Sequence, residues 1–408
     1  MLGWEQIAEA NELRGPERFR ATPLHYPASL NARIPCPADV FLKLELFQRT
    51  GSFKVRGATA RVHALTAKER KRGIIAASAG NHAQGVALAA AAHGVKARVV
   101  MPEYAPLTKR EATKGYGAEV ILHGATFDEA TAYAAAMAKD EGIVFIHAFD
   151  DEAVMAGQGT VGIELLDEMP DLGAVVCPVG GGGLISGVAV ALKSRRPEVK
   201  VIGVQAAGAD SAVTSFHEGR RLPSGPVETI ADGIKVAHVG ELTFDVIQRY
   251  VDEMITVDDV AICRAMLALD EHAHLSAEPA GAIAVAALLE GAANVGPGPA
   301  VAIITGGNID TFEKTRYIRR ALAEDRRHLR LRVRLRDRRG SKPREMAEIF
   351  GLLAEHEINI LDIRYQRDRP GLPLGVVQVE FLLETRGGDF ADALEASIVS
   401  AGFEISRS

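Results

Sequence analysis

The sequence predicts an α/β protein with two doubly wound parallel-sheet lobes, followed by a smaller ferredoxin-like α+β domain. Short apolar runs alternate with helical patterns twice, between residues 73 and 140 and between residues 152 and 304. Such alternation is typical of parallel sheets covered by helices. After residue 323 a charged stretch leads into the order strand, helix, strand, strand, helix, strand, which is the ferredoxin-like arrangement. We expect one domain over residues 1–323, with a small lobe of roughly 48–150 inserted in it, a linker at 324–328 and a C-terminal domain over 329–408.

The strands are predicted from short apolar runs bounded by glycine, proline or charged residues. In chain order they cover residues 40–46, 73–78, 97–101, 118–122, 172–178, 199–205 and 300–304, and then 329–335, 358–366, 375–383 and 403–406. Segment 329–335 alternates leucine or valine with arginine, which indicates a strand with one buried and one solvated face.

The helices are predicted from longer amphipathic or alanine-rich segments between those strands. They cover residues 4–14, 83–93, 107–115, 127–140, 152–169, a segment from 183 to about 195, 260–274, 279–290, 345–356 and 390–400. Because the carboxyl ends of parallel strands meet at one edge of a sheet, ligand-binding residues are expected in the loops that follow the strands.

The composition favours a cytoplasmic protein that binds neither nucleic acid nor membranes. The formal net charge of −6 offers no basic surface for nucleic acid. No run of 18 apolar residues occurs, and the N-terminal residues lack a basic segment followed by an apolar core. The cysteines Cys36, Cys177 and Cys263 are far apart and lack metal-ligand spacing. We therefore expect no metal site and a reducing compartment.

Residues 50–58 place Lys54 directly after a turn, at the start of a predicted helix. Gly51 is interpreted as the turn residue and Ser52 as the helix N-cap, so that Phe53 and Lys54 fall in the first helical turn. The positive end of the helix dipole favours the neutral amine, which is the form that attacks a carbonyl. The alternative is an exposed lysine after a turn, and the loops that follow decide between the two.

Residues 78–85 read Ser-Ala-Gly-Asn-His-Ala-Gln-Gly at a predicted strand-to-helix junction. The free amides of a helix's first turn suit an anion such as a carboxylate, and glycine lets a ligand approach the backbone. Asn81 can donate a hydrogen bond to an oxygen of a ring or a substrate. The alternative is an ordinary helix start that Ser78 or Asn81 caps.

Four consecutive glycines, residues 180–183, stand between a predicted buried strand and a helix. Their amides can surround a phosphate without the help of lysine or arginine. A dinucleotide site does not match, because no G-x-G-x-x-G fits residues 180–187 and Gln205 stands where a ribose-binding acid is required. The lysine of a P-loop is also absent. The stretch therefore predicts a site for one phosphate of a small cofactor.

Thr305 follows the predicted strand 300–304 in the stretch Ile-Thr-Gly-Gly-Asn. Its hydroxyl can bond a ring nitrogen or, as the alternative, cap the next helix. A lysine amine, a phosphate site, an asparagine and a hydroxyl, each at a strand end, together predict pyridoxal phosphate bound covalently to the lysine.

On these motifs the chain resembles the fold-type II pyridoxal-phosphate enzymes, specifically the threonine dehydratases (threonine ammonia-lyases), over about residues 20–323. The resemblance implies that Lys54 forms the covalent bond to the cofactor and that Phe53 lies against the pyridine ring. The other implied cofactor contacts are Asn81 at the ring hydroxyl, Gly180, Gly181, Gly182, Gly183 and Leu184 at the phosphate, and Thr305 at the ring nitrogen. The substrate carboxylate is expected at Ser78, Gly80, Asn81 and His82.

The implied reaction is that of a lyase: β-elimination from L-threonine to give 2-oxobutyrate and ammonia, and from L-serine to give pyruvate. Lys54 removes the α-proton, and the β-hydroxyl leaves. A hydroxyl at the ring nitrogen does not keep that nitrogen protonated, so elimination is favoured over transamination. The implied role is in amino-acid metabolism, with isoleucine biosynthesis as the expected pathway.

Three alternatives remain open. The first is a serine racemase, which needs a second acid to donate a proton; Ala79 stands where that family has a serine. The racemase family also has a cation site built from acids, and here Gln205 and Ser211 replace two of them while Asp210 alone is retained, so a required magnesium ion is not expected. A dehydratase of another β-hydroxy amino acid, such as hydroxyaspartate, fits the same motifs. A non-catalytic amino-acid sensor is the third alternative, and the retention of Lys54 argues against it.

The C-terminal residues 329–406 resemble the ACT amino-acid-sensing module, with Asp337–Gly340 as its turn (arginine replaces the usual proline) and the pair Asn359 and Ile360 retained. The resemblance implies an effector, isoleucine or valine, near Asn359 and Ile360, and a homodimer or homotetramer. Strands 329–335 and 377–383 are expected to pair with a second copy. A module that only assembles the protein is the alternative.

Overall fold

The computed structural model describes residues 2–336, 342–367 and 370–407. The chain forms two compact units, Met1–Asp310 and Thr311–Ser408. None of the described helices combines the length and the apolar character that crossing a membrane requires.

The division between the units lies earlier than the predicted boundary after residue 323. The helix Thr311–Glu324 is part of the second unit. A hydrogen bond of 2.8 Å from Arg327 N to Leu322 O joins the end of this helix to the strand that begins at His328. The segment 324–328, predicted as a linker, is thus a short turn between a helix and a strand.

The first unit is built on two sheets. Its strands are β1 (Leu24–His25), β2 (Val40–Leu44), β3 (Ile74–Ala77), β4 (Ala97–Met101), β5 (Glu119–Leu122), β6 (Val144–Phe145), β7 (Ala174–Pro178), β8 (Lys200–Ala206), β9 (Glu253–Val257) and β10 (Ala300–Ile304). The larger sheet has the order β1-β2-β10-β7-β8-β9 and the smaller one β5-β4-β3-β6. All neighbouring strands are parallel except β1 and β2. The predicted class, two parallel-sheet lobes, is confirmed.

Helices cover both sheets. They are α1 (Trp4–Asn11), α2 (Ala28–Asn31), α3 (Lys54–His63), α4 (Ala67–Arg72), α5 (Asn81–Ala92), α6 (Leu107–Gly115), α7 (Phe127–Glu141), α8 (Glu152–Glu168), α9 (Gly183–Arg195), α10 (Ser211–Glu218), α11 (Glu241–Tyr250), α12 (Asp259–His272) and α13 (Pro279–Leu289). The central strand β7 is buried on both faces, and Val175 and Cys177 pack against Ile185 and Val188 of α9. Such continuous apolar strands are typical of sheets with helices on both sides.

Glycine contacts bring α3, α8 and α9 together at backbone distance. A Cβ added to Gly157 of α8 would lie 2.5 Å from Arg56 O of α3, and one added to Gly187 of α9 would lie 2.2 Å from Met155 O of α8. Only glycine fits at such close approach. Because α3 begins with Lys54 and α9 follows the glycine loop, α8 supports both segments.

A buried group of charges holds α3 to the sheet below it. Arg56 donates to Glu45 Oε1 and to Glu164 Oε1, both at 2.7 Å, and Lys43 Nζ lies 2.9 Å from Glu164 Oε2. The side chains of Arg56, Lys43 and Glu45 are 0% exposed. Buried charges are tolerated when they are paired and hydrogen-bonded in this way. This ion-pair group fixes Arg56 and with it the first turn of α3.

The second unit is an antiparallel sheet with helices. It contains α14 (Thr311–Glu324), β11 (His328–Arg336), α15 (Lys342–Glu355), β12 (Asn359–Gln366), β13 (Val376–Glu384), α16 (Gly388–Ser400) and β14 (Glu404–Arg407). The strand order β12-β13-β11-β14 is the ferredoxin-like order, which confirms the predicted architecture. The turn Asp337–Gly340 lies outside the described residues.

The prediction of which strands pair with a second copy is wrong. Strands β11 and β13 are the two central strands of this sheet, and β12 and β14 form its edges. The leucine and valine residues of β11 and β13 are buried inside the unit together with Ile349 of α15 and Leu394 of α16. Alternating burial is the same whether a strand is central or at an edge, so the sequence pattern alone did not separate the two cases.

Candidate active site

Lys54 is the first residue of α3, and its amine faces the segment that follows β6. Its Nζ donates a hydrogen bond of 3.1 Å to Ala148 O and lies 5.0 Å from the centre of the Phe53 ring. Burial lowers the pKa of Lys54 to about 8, although the negative charge of Glu278 acts in the opposite direction. The amine can therefore gain and lose a proton close to neutral pH, which suits a nucleophile and a proton acceptor.

The residues before Lys54 pair with the loop that follows β10. Phe53 N donates to Thr305 O at 3.1 Å, and Ser52 forms an isolated antiparallel bridge with Gly306. Because the Ser52 backbone is engaged in this bridge, Phe53 occupies the N-cap position of α3, and the prediction of Ser52 as N-cap is wrong. The Ser52 hydroxyl is fully buried and has no hydrogen-bond partner within the described part of the chain.

Thr305 is brought beside the lysine by this backbone pairing. Its hydroxyl donates to Ala280 O at 3.3 Å, a long distance for an O–H···O bond. It does not cap a helix, because the next helix, α14, begins only at Thr311. The weakly held hydroxyl remains able to turn towards a ligand atom.

Asn81 connects three loops at the strand ends. Its Nδ2 donates to Glu278 Oε1 at 2.7 Å, and its Oδ1 accepts from Asn308 Nδ2 at 2.8 Å. Asn308 also donates to Thr50 O at 2.6 Å, so the chain of bonds reaches the turn before Lys54. Asn81 is the first residue of α5 and Gly80 is its N-cap, with no side-chain cap. The alternative that Ser78 or Asn81 caps this helix is therefore wrong.

Glu278 and Asn308 are the residues of this cluster that sequence reasoning missed. Glu278 precedes Pro279 at the start of α13, where an acidic residue has an ordinary explanation as a helix N-cap. Burial raises the pKa of Glu278 to about 7, while the hydrogen bond from Asn81 acts to lower it. Asn308 is the last residue of the Ile-Thr-Gly-Gly-Asn stretch, and its place after a predicted strand was the one sequence feature that could have identified it as a site residue.

The loop expected to bind a carboxylate lies at the start of α5. Ser78 Oγ accepts a hydrogen bond of 3.1 Å from Gly80 N, which shapes the turn. The His82 ring is buried, and its Nε2 is 3.0 Å from Ile146 O, so this nitrogen carries the hydrogen. Burial and then the charge of Lys54 lower the pKa of His82 to about 3. The neutral imidazole is a structural donor, and the first-turn amides of α5 remain for an anion.

The glycine loop between β7 and α9 has its carbonyl groups held by side chains. Gly180 O accepts from Gln205 Nε2 at 3.3 Å, and Gly181 O accepts from Thr243 Oγ1 at 2.6 Å. In a trans peptide the C=O and the N–H of one peptide unit point in opposite directions. The two bonds therefore direct the amides of Gly181 and Gly182 to the other side of the loop.

These amides have the features of an anion site. Among the described residues, neither Gly181 N nor Gly182 N donates a hydrogen bond to another protein group. Gly182 has a φ of 95°, which favours glycine. A Cβ on Gly181 would lie 2.3 Å from the Phe149 ring, so that position has no room for a side chain. Leu184 follows in the first turn of α9 and is buried.

Residues 148 and 149 connect the lysine to the glycine loop. Ala148 O accepts from Lys54 Nζ. The Phe149 ring packs against Gly181, and the Cβ and backbone of Phe149 pack against Gly183. The structure therefore brings together the predicted residues Phe53, Lys54, Asn81 and Thr305, and places the glycine loop across the 148–149 segment from Lys54. Asn359 and Ile360 are in the second unit, on strand β12, and Asn359 Nδ2 donates to Glu384 Oε2 at 2.9 Å.

Of the three positions compared with the racemase cation site, Gln205 contacts the glycine loop, and Asp210 and Ser211 stand at the start of α10. Gln205 is a neutral hydrogen-bonding bridge, and the Asp210 carboxylate accepts from Thr214 Oγ1 at 3.1 Å. Within residues 2–336, 342–367 and 370–407, no three His, Cys, Asp or Glu side chains are grouped so that they could hold a metal ion.

The residues present fit pyridoxal phosphate. The Gly181 and Gly182 amides, which donate no hydrogen bond within the described part of the chain, can bind its phosphate. The Lys54 amine can react with its aldehyde, and the Asn81 and Thr305 side chains can bind polar atoms of its ring. The family model described as pyridoxal-phosphate dependent enzyme matches residues 17–306. The chain belongs to this family. The predicted cofactor is thereby confirmed.

Relatives of this pyridoxal-phosphate dependent enzyme include proteins named L-threonine ammonia-lyase. The one from Thermotoga maritima is 44% identical over 367 residues, 90% of each chain, and the one from Geobacter sulfurreducens is 40% identical over 406 residues, 99% of this chain and 98% of the relative. Among solved structures, threonine deaminase isoform 2 of Solanum lycopersicum is 38% identical, with a TM-score of 0.73 over 78% of this chain and 93% of that one. Maize serine racemase is 34% identical, with a TM-score of 0.73 over 79% and 98%.

Proposed function

We propose that this chain is a threonine ammonia-lyase. It eliminates water from L-threonine, and hydrolysis of the resulting enamine takes up a water molecule and gives 2-oxobutyrate and ammonia; L-serine gives pyruvate in the same way. The observation that carries the proposal is the Lys54 amine, whose pKa is lowered to about 8 by burial. The residue before it pairs with Thr305 in the loop that follows β10. Relatives of the same name match nearly the whole chain.

Bound pyridoxal phosphate supplies an aldehyde that takes up the substrate amine and a ring that accepts electrons released from the α-carbon. Around it, Asn81 and the first-turn amides of α5 hold the ring hydroxyl and the substrate carboxylate. Lys54 Nζ, as a free amine, would accept the α-proton of the substrate. Its pKa lets it accept a proton without remaining charged throughout the cycle.

Elimination is favoured over racemisation and transamination by two neighbouring side chains. Ala79, before Gly80, has no proton to give to the opposite face of the α-carbon. Thr305 offers a neutral hydroxyl to the ring nitrogen and no carboxylate, so that nitrogen is not held protonated. The electron pair left at the α-carbon then forms the Cα–Cβ double bond, and the electron pair of the Cβ–O bond leaves with the β-hydroxyl.

The test is incubation of the holoenzyme with L-threonine or L-serine, with 2-oxobutyrate, pyruvate, ammonia and D-serine all measured. We expect both oxo acids with matching ammonia, no activity from Lys54→Ala, and full activity from the surface variant Lys114→Ala as control. D-serine as the main product would establish the racemase. A cofactor spectrum that shifts with threonine but yields no product would establish a sensor, and the absence of both oxo acids would reject the proposal.

We also propose that the second unit is an ACT-like regulatory domain that binds isoleucine or valine near Asn359 and Ile360 and assembles the enzyme as a homodimer or homotetramer. The edge strand β12 supports this, since Leu361, Ile363 and Tyr365 are 40–43% exposed on a strand that pairs with β13 alone among the described strands. Apolar edge strands favour pairing with another chain. This role would place the enzyme in isoleucine biosynthesis, and three cysteines that form no disulfide within the described residues favour the reducing cytoplasm.

The full-length protein tests this second proposal. Threonine saturation curves are measured with and without isoleucine and valine, and the mass in solution is measured for wild type and Ile363→Glu. We expect a shifted curve with at least one of the two amino acids and a smaller assembly for the variant. An unchanged curve together with a smaller assembly would mean that the unit only assembles the enzyme.

A further inference from the structure

Gln205 connects the start of α10 to the glycine loop through both ends of its side-chain amide. Its Oε1 accepts hydrogen bonds from Ala212 N at 2.8 Å and Val213 N at 2.9 Å, and its Nε2 donates to Gly180 O at 3.3 Å. The residue is 0% exposed. The two backbone amides require an acceptor and the Gly180 carbonyl requires a donor, and a neutral carboxamide supplies both.

The bond to Gly180 O also determines where an amide hydrogen points. Gly180 C=O and Gly181 N–H belong to one trans peptide unit, so holding the carbonyl on the Gln205 side directs the N–H away from it. Thr243 Oγ1 holds Gly181 O in the same way and directs the Gly182 amide. The two side chains come from different elements, β8 and α11, and act on successive peptide units.

We propose that Gln205 is a positioning residue that orients the Gly181 N–H towards the cofactor phosphate. Its neutral carboxamide can donate to Gly180 O, whereas a carboxylate at this position could bind that oxygen only through an added proton or a cation. The proposal rests on the site proposed above, in that the glycine loop binds the phosphate. It adds a residue that contacts neither cofactor nor substrate.

The surroundings of Gln205 explain why its neutrality is important. A carboxylate at this position would place a second acceptor against Gly180 O, with no donor between them. The charged and titratable groups on the neighbouring elements are Asp210, His217 and Glu218 of α10, Glu253 of the paired strand β9, and Asp232 and Lys235 of the short turn beside Gly180. Four of these six groups are acids, and burial also disfavours a charge, so a glutamate here would have a raised pKa.

The variant Gln205→Glu tests the proposal through cofactor affinity, without any substrate. The dissociation constant of the apoenzyme for pyridoxal phosphate is measured by absorbance titration at pH 8 and pH 6, with and without millimolar Mg²⁺. We expect the affinity for pyridoxal phosphate to fall about tenfold or more at pH 8, because repulsion between the carboxylate and Gly180 O replaces one buried hydrogen bond. It should recover at pH 6, where the carboxyl carries a proton that it can donate to Gly180 O, and at pH 8 with Mg²⁺, which bridges the two oxygens.

Phosphate-free pyridoxal and two further variants serve as controls. Gln205→Glu should bind pyridoxal as wild type does, because the affected amide serves the phosphate. Gln248→Glu makes the same chemical change at a residue that donates to Phe216 O of α10 and not to the glycine loop, and it should keep wild-type affinity for pyridoxal phosphate. If Gln205→Glu does not fold, Thr243→Val is compared with Thr243→Ser, which retains the hydroxyl; only the valine variant should lose affinity for the phosphate form.

Three results would overturn the proposal: unchanged affinity of Gln205→Glu at pH 8, lost affinity that neither acid nor Mg²⁺ restores, or an equal loss for pyridoxal. In the Thr243 pair, equal affinities would overturn it as well. None of these measurements depends on threonine turnover. A wild type that binds pyridoxal phosphate but makes no oxo acid would reject the proposed reaction and leave the role of Gln205 standing.

Discussion

Asn81 Nδ2 donates a hydrogen bond of 2.7 Å to Oε1 of Glu278, a residue 197 positions later in the chain. This bond joins the helix that follows β3 to the start of α13. Within the described part of the chain, Asn81 is the one side chain that donates a hydrogen bond to this buried carboxyl. Because the carboxyl is buried, its ionisation is linked to the stability of the fold.

Glu278→Gln should stabilise the apoenzyme at pH 8 and have little effect at pH 5. The folded-state pKa of Glu278 is raised from 4.5 to about 7, so its contribution to stability is complete below pH 4.5 and is lost as the pH rises through 7. The difference corresponds to about 3 kcal/mol at pH 8, and glutamine keeps the oxygen that accepts from Asn81. Urea unfolding at both pH values measures it. Equal gains at the two pH values would contradict the linkage.

The same variant should shift cofactor loading towards lower pH. The charge of Glu278 raises the pKa of Lys54 against the effect of burial, so removing that charge lowers the pKa of the amine. The neutral amine is the form that reacts with the aldehyde. The rate at which apoenzyme takes up pyridoxal phosphate, followed by absorbance from pH 6 to pH 9, should therefore reach its midpoint at a lower pH. Glu111→Gln on the surface of α6 should leave the midpoint unchanged.

His82→Gln should make the fold less sensitive to acid. The folded-state pKa of His82 is lowered from 6.5 to about 3, so the unfolded chain binds a proton first, and wild type loses stability as the pH falls below 6.5. At pH 5 the loss is about 2 kcal/mol. Glutamine retains a donor for Ile146 O. Unfolding free energies at pH 7 and pH 5 should differ less in His82→Gln than in wild type or in the exposed-site variant His25→Gln.

Arg56→Met should be strongly destabilising, at about 3–5 kcal/mol, because it leaves the Glu45 carboxylate buried without its cation. Arg98→Met removes an arginine from a partly exposed pair with Glu141 and should cost at most about 1 kcal/mol. Denaturant unfolding of both apoproteins at pH 7 measures the difference. Similar losses in the two variants would show that burial of the ion-pair group adds nothing.

The strand ends could be predicted from the sequence because each carries a short apolar run followed by small polar residues. Lys54, Asn81, the glycines from 180 to 183 and Thr305 all lie in such positions, and two of them, Asn81 and Thr305, are brought beside the lysine. Glu278 could not be found in this way, because an acidic residue before a proline at a helix start has an ordinary local explanation. Its function depends on a contact with a residue that is distant in sequence.

The missed elements have similar local causes. Strands β1 and β6 are only two residues long, and their pairing partners are set by tertiary packing. Helices α10 and α11 flank a stretch rich in glycine and proline, and with 8 and 10 residues their amphipathic patterns span fewer than about three helical turns. Yet α10 and α11 supply Ala212, Val213 and Thr243, whose bonds position the glycine loop.

The main-chain pairing of residues 51–53 with 305–307 has a consequence for how such enzymes diverge. The placement of residue 305 relative to Lys54 is set by backbone bonds, Phe53 N to Thr305 O and Gly307 N to Gly51 O, and not by the side chain at 305. Mutation can therefore sample different chemical groups at that position while the lysine stays where it is. A single substitution at residue 305 can therefore change the type of reaction while the fold stays the same. A laboratory selection that randomises residue 305 alone would test the same kind of change.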